Sequence, residues 1–379
     1  MLRFFMTMLG CFCCFCCFFV GQSIAADEAE SVAAEASSLA LMVEQVAEDY
    51  SFYGLAGYYN LLNYYLVDSD KVRRLSGGES IRLNADQQVA VVGRFKVLII
   101  SAETAELSFD GEGLLFANPE LSSDAGISFK TVNKSALKTM SPVWEQLRYT
   151  HLWGPLSQLA KLVEYVLERI QGAGISNWGW AVVVFSVMLK LLLLPVSLMT
   201  QLFQRRVSQV QTRLEPVLAD IKARYDGEQA HHLLMAAHRK LGVSPFYTLR
   251  PMVGSLVQIP VLIAVFNALG EMGQFNNQSF LWIENLAYPD AVFQLPFTVP
   301  MLGTVVSLLP LLMTVITVYA TIVFQNRHAS AAEVRKQKRN LFFMAALFLV
   351  LFYPFPAVMV LYWALTNLLQ AVQQQLVKI

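Results

Sequence analysis

A lysine inside an apolar run is the residue of this chain best placed to do chemistry. Between Trp178 and Met199 every residue is apolar or small except Ser186, Lys190 and Ser197, and about 20 such residues cross the hydrocarbon of a bilayer as one helix. A lysine near the middle of such a helix costs about 2.5–3.5 kcal/mol to insert. Its ammonium either stands in a wet recess, where it can attract an anionic group, or snorkels on its apolar stem to the surface beyond Pro195 and the Arg205-Arg206 pair. Ser186 lies one helical turn before Lys190 on the same face. Further polar residues interrupt later apolar runs: Gln258, then Ser307, Thr314, Thr317 and Thr321, then Trp363, Thr366, Asn367, Gln370, Gln373 and Gln374. Amides and hydroxyls in hydrocarbon need partners or water. They either bond from helix to helix or offer hydrogen bonds to a polar guest.

Other chemistries find no residues to carry them. His231, His232 and His238 with Glu228 suggest a metal site, but adjacent histidines point to different helix faces and His238 lies nearly two turns on, so no metal is expected. No G-x-x-x-x-G-K-S/T phosphate loop occurs, which argues against an ATPase within this chain. All five cysteines fall at positions 11, 13, 14, 16 and 17, so neither a disulfide nor a thiolate site is available downstream. No His, Cys, Asp or Glu lies deep within the apolar runs, which argues against an intramembrane enzyme. No cofactor is expected.

The elements that must position these residues follow from composition and order. Of 379 residues, 55% are hydrophobic and 15% charged, with net charge zero, a profile of a multi-span membrane protein. Arg3, an apolar run from Phe4 to Val20 and Ser23-Ile24-Ala25-Ala26 read as a signal peptide over 1–26, with an uncleaved anchor or a lipoprotein signal at Cys11 as alternatives. Residues 27–146 contain no span and read as a small exported α+β domain: helical spacing over 27–68, then β-rich runs at 88–92 and 95–100 with turns at Asp110-Gly111 and Glu112-Gly113. Over 147–176, Leu156, Leu159, Leu162, Val163, Val166, Leu167 and Ile170 alternate with charges. That stretch reads as an amphipathic helix along the outer membrane surface, or as a core helix of the exported domain.

Five spans are expected, at 178–199, 252–272, 297–324, 341–355 and 357–376. Between the first two, residues 200–250 read as a basic helical hairpin broken at Asp226-Gly227. The loop at 327–339 is basic and the loop at 273–296 has no Lys or Arg. The positive-inside rule therefore places the hairpin and the C-terminus in the cytoplasm and the exported domain outside. In that topology Lys190, Gln258, Thr314, Thr317, Thr321 and the stripe from Trp363 to Gln374 collect in the inner half of the bilayer, and the outer halves are almost purely apolar. This distribution describes a hydrophilic recess open to the cytoplasm and closed outside. A small-solute transporter or channel is the alternative, but that reading calls for repeats and broken helices around a midplane site, and the chain has no visible repeat. The basic face of the hairpin, with Arg205, Arg206, Arg213, Lys222 and Arg224, is either a docking surface for ribosomal RNA or clients or only the topological signal.

Several motifs in order resemble the YidC/Oxa/Alb membrane protein insertases over about residues 147–379. They are Asn177-Trp178-Gly179 before Lys190 and Pro195; Leu214-Glu215-Pro216 with Ile221 and Arg224-Tyr225; Gln258-Ile259-Pro260; Phe280-Leu281-Trp282-Ile283 with Leu286, Pro289 and Asp290; and Pro356, Leu361-Tyr362-Trp363, Asn367 and Gln373-Gln374-Gln375. The chain has Lys190 where bacterial members more often have arginine, Ser244-Pro245 for Asn-Pro, and an exported domain much smaller than is usual. The resemblance implies an α-helical polytopic fold with a five-helix insertase core and a cytoplasmic hairpin. It implies a groove, with Lys190, Ser186, Gln258, Thr314, Thr317, Trp363, Thr366 and Asn367 as candidate lining, that takes in hydrophilic tails of nascent membrane proteins and releases their apolar segments to lipid. It further implies residence in the bacterial inner membrane, with the ribosome and the Sec translocon as candidate partners and no stable nucleic-acid substrate.

Overall fold

The computed structural model describes residues 43–44, 46–47, 50–102, 104–109, 114–116, 127–240, 250–299, 303–323 and 331–376. The signal-like segment, the helical pattern over 27–42, the turns at 110–113 and Ser244-Pro245 lie outside them. So do the side chains of Arg205, Lys222, Thr321 and Gln374.

Residues 63–133 build a β-sandwich. Strands β1 (Asn63–Val67), β2 (Val72–Arg74), β4 (Gln88–Val92), β5 (Lys96–Ser101) and β8 (Ser128–Asn133) form an antiparallel sheet in the order β2-β1-β4-β5-β8. Strands β3 (Glu79–Asn84), β6 (Thr104–Phe109) and β7 (Leu114–Phe116) form a second one in the order β3-β6-β7. Side-chain alternation explains the two layers. Val89, Val91, Leu98 and Ile100 face Ile81, Leu83 and Leu107 of the smaller sheet. Their neighbours Ala90, Val92, Val97 and Ile99 face the other way, against Leu137, Trp144 and Leu147. Both sides of β4 are therefore covered, which is why Val89–Val92 reads as an unbroken apolar run, whereas β3 alternates buried Ile81 and Leu83 with exposed Arg82 and Asn84.

The helical pattern expected up to Asp68 is corrected from Gly54 onward. Gly54–Asn60 is a 3-10 turn and Asn63–Val67 is a strand. The run Tyr64-Tyr65-Leu66-Val67 is aromatic and β-branched, and such residues pack best on a pleated surface.

Among the described residues, eight helices of more than one turn follow: α1 (Gly154–Gly172), α2 (Trp178–Leu192), α3 (Leu194–Arg224), α4 (Gly227–Lys240), α5 (Arg250–Glu271), α6 (Leu308–Val323), α7 (Ala331–Phe352) and α8 (Ala357–Leu376). Helix α8 packs against α2, α5 and α6; α1 lies on α5 and α2; α3 lies on α5, and α7 on α6. Asn177 starts α2 by accepting the Gly179 N–H at 2.8 Å while its amide donates to Ser279 O at 2.9 Å. A Cβ at Gly179 would come within 2.1 Å of the Phe280 ring. The Asn177-Trp178-Gly179 motif thus caps the helix and lets the loop at Phe280 close over it. The amphipathic α1 buries Ala160, Val163, Glu164 and Leu167, and Leu156, Leu159, Val166 and Ile170 pack against the helical core.

Two expected spans are divided. The run 178–199 breaks at Leu193, where α2 and the first part of α3 meet at 54°. Pro195 occupies the first turn of α3, a position where its missing N–H is harmless to the new helix but cannot continue the old one. The stretch 297–324 is not one helix. Phe293–Val299 and Gly303–Val306 pair as a β-hairpin, β9 and β10, and α6 begins only at Leu308. Pro296, Pro300 and Gly303 disfavour a helix there, and Thr298, Val299, Thr304, Val305 and Val306 favour strands. Asp290 then caps α6, accepting the Leu309 N–H at 2.7 Å and the Trp282 indole N–H at 3.4 Å. Among the described residues no single helix is long and apolar enough to cross a membrane, and the bent α2–α3 pair passes that test only when taken together.

Candidate functional site

Helix α8 carries its polar residues on one face. At 100° per residue Trp363, Thr366, Asn367, Gln370 and Gln373 fall within an arc of about 120°, and α2, α3 and α6 lie against that arc. The Lys190 ammonium, half-buried at the end of α2, donates to the Gln370 side-chain oxygen of α8. One turn farther along, Ser197 of α3 and Gln373 exchange hydrogen bonds at 3.0 and 3.2 Å. On the other side of the stripe the Asn367 amide donates to the Thr317 hydroxyl at 3.1 Å. The Thr317 hydroxyl donates in turn to Met313 O at 2.8 Å, and Thr314 bonds back to Pro310 O at 2.8 Å.

Met313, Thr314 and Thr317 of α6, Ala345 and Phe348 of α7, and Trp363 and Asn367 of α8 line a cleft that leaves about 40 Å³ for the centres of water-sized molecules. This is room for a few waters, and far less than a helix needs. Trp363 is held by Phe266, Phe348 and Phe352 at ring distances of 5.6, 6.0 and 5.1 Å. Below that aromatic cluster, toward Ala357, the polarity stops: Ala357, Val358, Met359 and Val360 are no more than 1% exposed. One helix thus carries a half-exposed polar end and a sealed apolar end.

The sequence candidates are not all brought together. Lys190 joins Gln370, and Thr314, Thr317, Trp363 and Asn367 share the cleft. Thr366, half-buried beside them, bonds back to Trp363 O at 2.9 Å. Ser186 is corrected: it is fully buried, and its hydroxyl is turned onto Val182 O at 2.7 Å within its own helix, so it serves close helix packing rather than the lining of a recess. Gln258 is exposed on α5, and among the described residues no hydrogen bond joins it to the Lys190 cluster. Of the basic hairpin residues, Arg206, Arg213 and Arg224 are exposed, with Arg224 paired to Asp220 at 2.8 Å. Sequence reasoning missed Ser197, a small polar residue at the helix break, and the pairing role of Gln370. The stripe spacing signals both glutamines, but only the packing of α8 on α2 selects which one meets the lysine.

The family model described as 60Kd inner membrane protein matches residues 170–379, the whole stretch that builds this arrangement. The chain belongs to the 60Kd inner membrane protein family. Its similarity to individual family proteins is moderate and partial. It is 29% identical over 240 residues to the Membrane protein insertase YidC of Herminiimonas arsenicoxydans, covering 63% of this chain and 39% of that protein. It is 26% identical over 296 residues to the protein of the same name from Leptospira interrogans serogroup Icterohaemorrhagiae serovar Lai, covering 75% of this chain and 44% of that protein. The insertase from Polynucleobacter asymbioticus is 30% identical over 241 residues, 63% of this chain and 38% of its own. The chain thus spans less than half the length of these relatives. Membership in the 60Kd inner membrane protein family makes this a polytopic helical membrane protein, and the family-matched region holds every residue of the Lys190 stripe and the Thr317 cleft.

Proposed function

We propose that the chain is a membrane protein insertase and chaperone. The reading rests on α8, where a half-buried cation held by a neutral amide stands among hydroxyls and amides at one end while the other end is sealed by apolar packing. In this reading the polar end faces the cytoplasm and receives the hydrophilic tail or loop of a nascent membrane protein. The client's apolar segment passes into lipid along exposed Leu311, Leu312, Val315 and Tyr319 of α6. Lys190, Thr314, Thr317, Trp363, Thr366 and Asn367 line the recess, and Gln258 stands exposed on α5 for the approaching chain. The basic hairpin, with Arg205, Arg206, Arg213, Lys222 and Arg224, docks the ribosome or the client, and the Sec translocon is a candidate neighbour.

The physics asks for no covalent step. The recess shortens the polar distance a tail must cross, and Lys190 exchanges Gln370 for a client carboxylate. A carboxylate moving outward gains about 2.3 kcal/mol per 100 mV, inside negative. Gln370 carries no net charge, so it is displaced without breaking an ion pair, and release then depends on a single cation. The α2–α3 break bends the chain from the first span into the cytoplasmic hairpin.

The test is insertion of clients with acidic translocated tails by Lys190→Ala and Lys190→Arg proteins in depleted cells. The alanine protein should insert them poorly and the arginine protein should insert them well. Full insertion by the alanine protein would show that the charge only snorkels. Uptake of a small solute by proteoliposomes would instead favour a transporter.

A further inference from the structure

The contact between the β-sandwich and the outer ends of the helices is built as a fixed joint. Arg94, in the turn between β4 and β5, is 4% exposed. Its guanidinium donates from Nε to Gly270 O at 2.7 Å and from a terminal nitrogen to Ala287 O at 3.0 Å. It thereby ties the end of α5 and the outer loop to one sandwich turn. The same group lies 4.9, 4.3 and 4.3 Å from the ring centres of Phe52, Tyr59 and Phe95, so cation–π contacts add to the two bonds. Around it Lys134 pairs with Glu271 at 2.6 Å, His151 bonds Asn267 at 2.7 Å, and the Tyr59 hydroxyl donates to the Met359 sulfur at 3.2 Å. Gly270 admits Tyr59 because it has no side chain: a Cβ there would lie 2.1 Å from the phenol oxygen.

Phe52, Tyr59 and Phe95 of the exported region belong to one continuous apolar cluster with Met272, Phe275, Ala357, Val358, Met359 and Val360. The seal at the outer end of α8 is therefore shared between two parts of the chain. We infer that the exported sandwich is the outer closure of the recess, with Arg94 as the positioning residue that seats it. The inference rests on the recess proposed above. Residues 50–152 then keep a recess that opens inward from becoming a path through the membrane.

The experiment uses the full chain with its five cysteines at 11, 13, 14, 16 and 17 replaced by serine and a single Thr317→Cys reporter. A membrane-impermeant maleimide is applied to vesicles of either orientation. With Arg94 intact, the reporter should label from the cytoplasmic face and not from the outside. Labelling from neither face would remove the recess reading itself. With Arg94→Ala, labelling from the outside should rise several-fold, Arg94→Lys should restore part of the protection, and a protease-resistant sandwich fragment should show that the domain still folds. If Arg94→Ala prevents folding, Glu271→Gln, which loosens the same joint from the core side, takes its place with the same expectation. Cytoplasmic labelling unchanged, with no outside labelling from a folded Arg94→Ala or Glu271→Gln protein, would overturn the inference and leave the recess standing.

Discussion

At the residue scale, the proposed insertion turns on a cation whose partner is an amide. A hydrogen bond to a charged group contributes roughly 1.5–3 kcal/mol, so removing Lys190 from a client's carboxylate should slow insertion of acidic tails by about tenfold or more, while clients with neutral tails change little. Comparing the two client types in one insertion assay checks this. The Gln370 contact leads to a second expectation. Gln370→Glu would give Lys190 a permanent counter-ion, and a carboxylate in place of the amide competes with the client, so acidic-tail insertion should fall nearly as far as in Lys190→Ala. Equal insertion by wild type and Gln370→Glu would show that Lys190 does not exchange partners. The lysine and the stripe were legible in the sequence because both stand out against apolar surroundings. The partner was not, since a stripe fixes which face of α8 is polar but not how α2 is phased against it.

At the scale of elements, the ends of helices carry most of what can be measured. Asp290→Ala leaves the Leu309 N–H without its acceptor at the start of α6, and loss of such a cap costs about 0.5–2 kcal/mol, readable as a lowered thermal midpoint in detergent. Burial holds the Asp290 carboxyl above the usual carboxylate range, against the pull of the Leu309 and Trp282 bonds. A raised folded-state value means that the folded protein binds this proton more tightly. Stability from this group is then complete below the unfolded-state value and declines as pH rises through the raised one. Asp290→Asn should remove that decline and flatten the acid-side stability profile. At the start of α2, Gly179→Ala drives a methyl into the Phe280 ring, and overpacking of this kind costs typically about 1–3 kcal/mol. Phe280→Leu in the same protein should recover part of the loss. Helix type and order were readable wherever 3.6-residue spacing ran on without an intervening break, as in α1, α5 and α8. The start of the expected span, 297–306, was misread because a window of apolar residues cannot tell a strand from a span, even though Pro300 and Gly303 were there to be weighed. The break at Leu193 was hidden for a similar reason, since Pro195 reads equally well as a helix end or a helix start.

At the scale of the whole molecule, polarity is distributed in layers: an exposed basic hairpin, a half-buried stripe around Lys190, an aromatic cluster about Trp363, and an apolar seal completed by a β-domain that Arg94 holds in place. The composition made the membrane class legible, and motif order made the family legible. The sandwich and its joint were not. A solitary arginine between two strands gives no sign that its acceptors lie on elements 176 and 193 residues farther along. The most direct measurement of the central claim is site-specific photocrosslinking of a ribosome-stalled membrane-protein chain. Probes at Thr314 and Asn367 in the cleft are compared with probes at Val315 and Tyr319 on the exposed face of α6. The expected result is that the cleft probes capture the client's hydrophilic tail, the exposed-face probes capture its apolar segment, and Lys190→Ala reduces the former without abolishing the latter. If the cleft probes react only with lipid, while the client crosslinks elsewhere, the polar stripe of α8 is internal packing and the recess has no part in insertion.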